Sequence, residues 1–454
     1  MGASSDPTPE KPPNKSGMRC PDAEVVEVRR PAKGNTDQQN VPRTPSRISG
    51  APSALDRVRE AARRDKKTRF TALLHHITVD LLRESYFALK RKAAAGVDGV
   101  TWEQYGEDLD ARLRDLHGRL HRGAYRAKPT RRTYIPKPDG RRRPLGIATL
   151  EDKVVQRAVV TVLNAIYEED FLGFSYGFRP GRSQHQALDA IATAIIRKKV
   201  NWVLDADIRD YFGSMNHEWL MKFVEHRIGD PRMLRLIQKW LKAGVLEDGI
   251  KTWSEKGTPQ GATVSPLLAN IYAHYVIDLW VNQWRKREAR GEVFIVRYSD
   301  DEVLGFEIRA DAERCLDGLR ERLRKFSLEL HPEKTRLLEF GKNASRNRKR
   351  RGEGKPETFD FLGFTHICAK SRRGRFKLLR RTIAKRMRTK LSSIRLIFYS
   401  LKNNVVQLRP VTRRKSARGT TFRLTLQLLN WGFDHHVLIS SFNRRVGGMI
   451  APAA

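Results

Sequence analysis

Two adjacent aspartates, Asp300 and Asp301, lie between two short apolar runs at 293–296 and 303–306. The runs are rich in β-branched and aromatic residues, so they predict two strands joined by a tight turn. Two carboxylates at a hairpin tip repel each other unless a positive charge lies beside them. A solvated turn explains the pair, because aspartate is common in turns. A divalent-cation site is the functional alternative, and the pair alone does not decide between the two.

The balance of charge indicates the partner. The 454 residues include 88 Lys and Arg against 51 Asp and Glu, which gives a net charge of +37. Such an excess repels itself unless a polyanion offsets it, so nucleic acid is the expected partner. The sequence has no uncharged apolar run of about 18 residues, so we expect no membrane partner. Cys20, Cys315 and Cys368 lie far apart, which fits a reducing cytoplasm and indicates neither a disulfide framework nor a zinc site.

Three further stretches carry charged residues in informative places. Asp207 ends a short predicted strand and is a third carboxylate of interest. The stretch 134–147 predicts a hairpin around Asp139-Gly140, and its lysine and arginines can bind phosphate. A generic basic hairpin explains that stretch equally well. The loop 175–183 combines arginines with aromatic residues, a mixture that suits contacts with nucleic acid.

In order, these blocks resemble the fingers and palm of reverse transcriptases, specifically the group II intron-encoded reverse transcriptase/maturase family. The resemblance covers roughly residues 65–370. It rests on eight blocks: Gly96-Val97-Asp98-Gly99, Arg143-Pro144-Leu145-Gly146-Ile147, Tyr176-Gly177-Phe178-Arg179-Pro180-Gly181-Arg182-Ser183, Asp207-Ile208, Thr258-Pro259-Gln260-Gly261, Tyr298-Ser299-Asp300-Asp301, His331-Pro332-Glu333-Lys334-Thr335 and Phe361-Leu362-Gly363-Phe364.

The resemblance implies an α+β fold with the right-hand architecture of polymerases. We expect a disordered basic arm at 1–55, fingers at 56–200, and a palm with an antiparallel sheet at 201–375. A short, basic, mainly helical segment at 376–454 would be a divergent or truncated thumb or maturase-like region. Because the match fades after about Arg388 and the last residues show no Cys/His pattern of an HNH nuclease, DNA cleavage is not expected.

The resemblance also assigns roles to residues. Asp207, Asp300 and Asp301 would be the catalytic residues and would bind two Mg²⁺ ions, which offset their repulsion. The nucleotide-binding residues would be Lys137 and Arg143 at the triphosphate, Phe212 beneath the sugar, Gln260 near the templating pair and Lys334 near the pyrophosphate. Arg179 and Arg182 would contact the RNA template backbone. Plain core packing is the alternative for Phe212, and a surface lysine is the alternative for Lys334.

The implied function is that of an RNA-directed DNA polymerase. It would copy group II intron RNA into DNA from dNTPs at a DNA primer or target, would support splicing as a maturase, and would work in cytoplasmic or nucleoid ribonucleoprotein. One alternative is a splicing maturase with a degenerate polymerase core. Another is a retron or CRISPR-associated reverse transcriptase, which the blocks 178–182 and 258–261 disfavour.

Two positions in the central motif depart from the family pattern. Ser299 stands where alanine is usual and keeps the small size. Glu302 stands where an apolar aromatic residue is usual. A fourth carboxylate there would change neighbouring pKa values or packing, so we expect lower activity than in relatives.

Overall fold

The structure is a computed structural model that describes residues 53–136, 142–253, 255–258 and 261–403. The predicted disordered arm therefore lies almost wholly outside the described residues. The described helices are α1 (Ala54–Arg64), α2 (Val79–Phe87), α3 (Trp102–Gly106), α4 (Leu109–His121), α5 (Leu150–Asp170), α6 (Gln184–Arg197), α7 (Tyr211–Ser214), α8 (His217–Glu225), α9 (Pro231–Leu241), α10 (Ser265–Ala273), α11 (Leu279–Arg287), α12 (Arg309–Lys325), α13 (Ala344–Arg350) and α14 (Ala384–Asn403).

The described strands form three sheets. They are β1 (Thr130–Pro136), β2 (Arg142–Ile147), β3 (Trp202–Asp207), β4 (Val245–Glu247), β5 (Ile250–Thr252), β6 (Val293–Tyr298), β7 (Asp301–Phe306), β8 (Arg336–Glu339), β9 (Phe359–Phe361), β10 (Phe364–Lys370) and β11 (Phe376–Thr382). This mixture of helices and sheets confirms the predicted α+β class.

The sheet within the predicted palm, called the palm sheet below, has the strand order β6-β7-β3-β8, and every neighbouring pair is antiparallel. Its strands alternate between two apolar environments because successive side chains point to opposite faces. Leu204 and Leu304 belong to the larger core, together with α5, α10 and α12. Val203 and Val303 belong to a second core that also contains residues of α6 and of β9. Burial on both faces fixes the register of the sheet, since a one-residue slip would exchange the two sets.

A second sheet, called the fingers sheet below because it contains the hairpin of the predicted fingers, has the order β2-β1-β4-β5. Strands β1 and β2 form the hairpin predicted at 134–147, with Ile135 opposite Arg143. Strand β4 adds to β1 in parallel and continues antiparallel into β5. This sheet therefore takes strands from both sides of the predicted fingers–palm boundary at residue 200. All of the predicted domain boundaries stay predictions.

The chain divides into two compact units. The first contains the described residues up to Ile383, and the second begins at Ala384 with α14. The described start of this second unit is thus helical, whereas most of the predicted thumb region lies outside the described residues. Across the described part of the chain, no helix combines the length and the apolar character needed to cross a membrane.

Candidate active site

Three aspartates meet at one end of the palm sheet. Asp207 is the last residue of β3 and lies opposite Asp301, the first residue of β7. Tyr298 also pairs with Asp301, so Ser299 and Asp300 form the two-residue turn between β6 and β7. Ser299 has a φ of 62°, in the left-handed region that such hairpin turns use. The pairing of β3 with the hairpin thus brings together carboxylates that are distant in sequence.

The pKa of Asp301 reflects the burial of this carboxyl and its closeness to the other two aspartates. Burial, and then the charges of Asp300 and Asp207, raise the pKa of the Asp301 carboxyl to about 7. Neighbouring carboxylates raise each other's affinity for a proton or a cation, because full ionisation leaves like charges in contact. Such a perturbed acid beside two others is typical of a functional site.

Asp205 is a fourth carboxylate on the same face of β3. It lies two residues before Asp207, and residues two apart in a strand share a face. Burial raises the pKa of Asp205 to about 6, against the opposing charge of Arg336 at 3.7 Å. Asp205 is not among the residues predicted from the sequence. Its position two residues before Asp207 on the same predicted strand could have indicated it.

Lys334 lies directly at the site. Its Nζ is 2.7 Å from Asp207 Oδ2, and the His331 amide donates to the Asp207 carbonyl at 2.7 Å. These contacts hold the block at 331–335 against the end of β3. Because the Lys334 side chain is half exposed, it can leave Asp207 without moving the fold.

Among the described residues, no group of three or more His, Cys, Asp or Glu side chains is arranged to hold a metal ion. The donors near the turn are nevertheless all carboxylates, the ligands that Mg²⁺ takes. The raised pKa of Asp301 means that a positive charge, from a proton or a cation, stabilises the carboxylates at the same place. The chemistry of the donor set therefore fits a divalent cation.

A buried arginine supports the turn. Arg297 on β6 is fully buried, and its guanidinium donates to both carboxylate oxygens of Asp278 at 2.7 Å. It also donates to the Ser299 carbonyl at 2.9 Å and to the Ser175 hydroxyl at 2.7 Å. Asp278 ends a π-helical turn at His274–Asp278, between α10 and α11. This network connects the turn to the π-helical segment and to the loop at 175–183. It was not predicted from the sequence.

The loop at 175–183 packs against the turn at 299–300. A Cβ on Gly177 would lie 2.3 Å from the Ser299 amide nitrogen, so only glycine allows this approach. Asn270 fixes the loop from α10 by donating to the Gly177 carbonyl at 2.7 Å. Gly177 thus allows the loop to pack closely against the turn.

Glu302 lies on the side of β7 opposite to Asp301, because successive side chains alternate. It is 1% exposed, and its Oε1 has no hydrogen-bond partner. Burial raises the pKa of the Glu302 carboxyl to about 8, although the charge of Arg297 opposes the shift. The departure from the family pattern therefore places a carboxyl in the core below the site.

The assignment of Arg179 to template binding needs correction. Its guanidinium is buried, pairs with Glu168 at 3.0 Å, and donates to the Leu172 and Ser175 carbonyls at 2.8 Å. An arginine with these partners stabilises its own loop and is not open to a phosphate. Arg182 is half-buried, and it donates to the Gly173 carbonyl at 3.0 Å.

The structure describes two of the four remaining nucleotide-binding candidates. Phe212 in α7 is half-buried, packs against the main core, and meets the ring of Phe178 edge-on at 6.5 Å. Arg143 is exposed on β2. Lys137 and Gln260 lie outside the described residues.

Comparison with known proteins identifies the family of the chain. The model of the family "Reverse transcriptase (RNA-dependent DNA polymerase)" matches residues 135–366, a little over half of the chain. Protein YkfC of Escherichia coli (strain K12) is 33% identical over 333 residues, which cover 64% of this chain and 87% of that protein.

Two other relatives have names that refer to introns. The group II intron-encoded protein LtrA of Lactococcus lactis subsp. cremoris is 35% identical over 235 residues, covering 51% of this chain but only 39% of LtrA. Nuclear intron maturase 3, mitochondrial, of Arabidopsis thaliana is 29% identical over 129 residues, covering 28% of this chain and 18% of that protein.

The fold, the aspartate-bearing hairpin and the family match together define a protein of the reverse transcriptase class. Within that class, the chain belongs to the group II intron reverse transcriptase/maturase family, as the sequence resemblance predicted.

Proposed function

We propose that the protein is an Mg²⁺-dependent RNA-directed DNA polymerase that copies group II intron RNA into DNA for intron mobility. The observation that carries the proposal is the register of Asp207 with Asp301 beside the Asp300 turn. The chain also carries a net charge of +37, which suits a polymerase that holds an RNA template and a DNA primer.

The three aspartates would hold two Mg²⁺ ions. Bound there, the ions would activate the primer 3′-hydroxyl and stabilise the leaving pyrophosphate. The protein's part is to position charge, and that is where most of the rate of phosphoryl transfer arises. In this structure Lys334 supplies the positive charge beside Asp207. With cations bound, its half-exposed ammonium would be available to contact the pyrophosphate.

Other residues would bind the incoming nucleotide. Arg143 can chelate phosphate oxygens with two parallel hydrogen bonds, and Lys137 would act as a point charge. Phe212, whose ring lies beside that of Phe178, would pack beneath the sugar and exclude a 2′-hydroxyl. Gln260 would lie near the templating pair. For the template backbone, Arg182 remains a candidate and Arg179 does not.

The test is primer extension on an RNA template, with and without Mg²⁺. Asp300→Asn should lower dNTP incorporation on the order of a hundredfold or more, because the site loses a charge at the reacting centre. The matched control is Asp317→Asn, which removes the same charge from an exposed ion pair on α12. Absence of Mg²⁺-dependent incorporation by the unaltered protein would sink the polymerase proposal.

The second candidate is a maturase that binds intron RNA and supports splicing with a degenerate polymerase core. It is favoured by the relative named as an intron maturase and by the buried carboxyl of Glu302 below the site. Under this function, intron-RNA binding and splicing survive Asp300→Asn while the unaltered protein extends no primer. If splicing and extension both depend on Asp300, the two functions share one site and this candidate fails.

A further inference from the structure

The outer strand of the fingers sheet presents an exposed aromatic ring. Strand β5 is the edge strand, and all three of its residues are exposed. Trp253 follows it directly and exposes 67% of its surface. An indole left this open in a soluble fold loses the free energy of burial, so its position calls for an explanation.

A cation accompanies the ring. The Lys251 ammonium lies 4.9 Å from the centre of the Trp253 indole, on the same side of the strand. Strand pairing continues this face across the sheet, since Lys251 lies opposite Leu246 and Leu246 lies beside Arg131. Arg131 and Ile135 share a face of β1, and Ile135 lies opposite Arg143. We call this face, defined by Arg131, Arg143, Lys251 and Trp253, the stacking face.

The acidic residue of the sheet lies on the other side. Strands β1, β2, β4 and β5 contain five basic residues and one acidic residue, Glu247. Glu247 accepts a hydrogen bond from the Tyr134 hydroxyl and lies 3.6 Å from Arg132, both on the opposite face. Among the described residues of these four strands, the stacking face therefore combines an open aromatic ring with basic side chains and no acidic one. Arg131 is exposed, and it also donates a hydrogen bond to the Ala95 carbonyl at 2.8 Å.

We propose that the stacking face binds unpaired RNA, with a base stacked on Trp253 and adjacent phosphates held by Lys251 and Arg131. Single-stranded nucleic acid offers free base faces and a polyanionic backbone, and aromatic rings within basic grooves bind it without regard to sequence. A duplex keeps its base faces within the stack, so it cannot use the ring. The proposal deepens the proposed function by adding a site for unpaired RNA outside the carboxylate cluster.

Binding can be measured without dNTPs, so it is independent of catalysis. The probe is a fluorescently labelled oligouridylate of about 12 nucleotides, a length within the range that one single-strand site covers. Trp253→Ala should weaken its binding roughly five- to a hundredfold, the range expected when one stacked base is lost, whereas Trp253→Phe should restore most of it. The matched control is Ile250→Ala, which alters an equally exposed residue on the same strand but on the opposite face.

Three comparisons decide the outcome. A blunt RNA duplex of the same length should bind equally well to the unaltered protein and to Trp253→Ala. Lys251→Ala should reduce the salt dependence of oligouridylate binding by about one counterion. Equal loss for duplex and single strand, or no loss at Trp253, would overturn the proposal and leave the ring as a contact for a protein partner.

The source of the unpaired strand can be separated in the same assay. If the face holds uncopied template, the Trp253→Ala defect appears on primer–templates with long 5′ overhangs and not on those with blunt ends. If it holds a loop of structured RNA, the defect appears on hairpin loops whatever the overhang. Trp253-dependent binding by a protein that extends no primer would uphold this inference while the polymerase proposal fails.

Discussion

Arg297 and Asp278 form a fully buried ion pair in which both carboxylate oxygens accept a guanidinium hydrogen bond at 2.7 Å. The same guanidinium donates to the Ser299 carbonyl in the turn between β6 and β7. The buried guanidinium of Arg297 thus holds the backbone of the turn that carries Asp300.

Breaking this pair from one side should be costly. Arg297→Met leaves the Asp278 carboxylate buried without its partner, so the free energy of unfolding should fall by about 3–5 kcal/mol. Adding Asp278→Leu should recover part of the loss, since the buried Asp278 charge that Arg297 had paired is then removed as well. Urea unfolding measures both changes.

The surface pair Arg320–Asp317, at 2.9 Å, is the control. Arg320→Met should change the free energy of unfolding by about 1 kcal/mol or less, because exposed ion pairs are screened. Strictly additive losses from Arg297→Met and Asp278→Leu would contradict the coupling described above.

Gly177→Ala should impair the site through the backbone. The new Cβ would lie 2.3 Å from the Ser299 nitrogen, so the turn must shift. We expect a loss of about 1–3 kcal/mol in the free energy of unfolding and a clear fall in primer extension. Gly354→Ala is the control, because nothing lies within 4 Å of its added Cβ. Unchanged extension by Gly177→Ala would show that the turn has no need of this close packing.

Glu302→Phe should raise primer extension. The buried Glu302 carboxyl lies opposite Arg297 in the sheet and competes with Asp278 for its charge, whereas an aromatic ring would not. Glu302→Gln separates charge from packing, because the amide keeps the volume and cannot ionise. The rate of dNTP incorporation under fixed Mg²⁺ is the measurement, and equal rates for the unaltered protein and Glu302→Phe would refute the predicted effect of this residue.

His366 should make stability depend on pH. It is fully buried, stacks on Phe359 at 4.6 Å, and neither ring nitrogen has a partner. Burial lowers the pKa of His366 to about 4, so the unfolded chain takes up a proton first as the pH falls. Its contribution to stability is therefore complete above about pH 6.5 and decreases towards pH 4, by up to about 1.4 kcal/mol per pH unit.

The measurement is urea unfolding of the unaltered protein and His366→Phe between pH 4 and 7. The difference isolates His366 from the buried His274, whose pKa is lowered in the same direction. His366→Phe should lose less stability on acidification than the unaltered protein does. A constant difference across this pH range would show that His366 does not contribute to the pH dependence.

Local patterns were sufficient for several predictions. The short runs of β-branched and aromatic residues on either side of Asp300 and Asp301 predicted the hairpin, and the Asp139-Gly140 turn predicted the pairing of β1 with β2. The position of Arg179 could not be predicted from local patterns. A loop arginine in a basic protein suits phosphate binding, but whether its donors are already occupied depends on Glu168, which α5 supplies.

The sequence by itself determined the class of fold and the family, and it selected the three aspartates as candidates, because each inference depends on residue types at short, fixed spacings. Only the tertiary structure decided what surrounds them. The pairing of β3 with β7 placed Asp207 opposite Asp301, and the folding of α10 and its π-helical turn brought Asp278 beneath Arg297. These relationships join segments distant in the chain, and burial there sets which charges are paired and which pKa values shift.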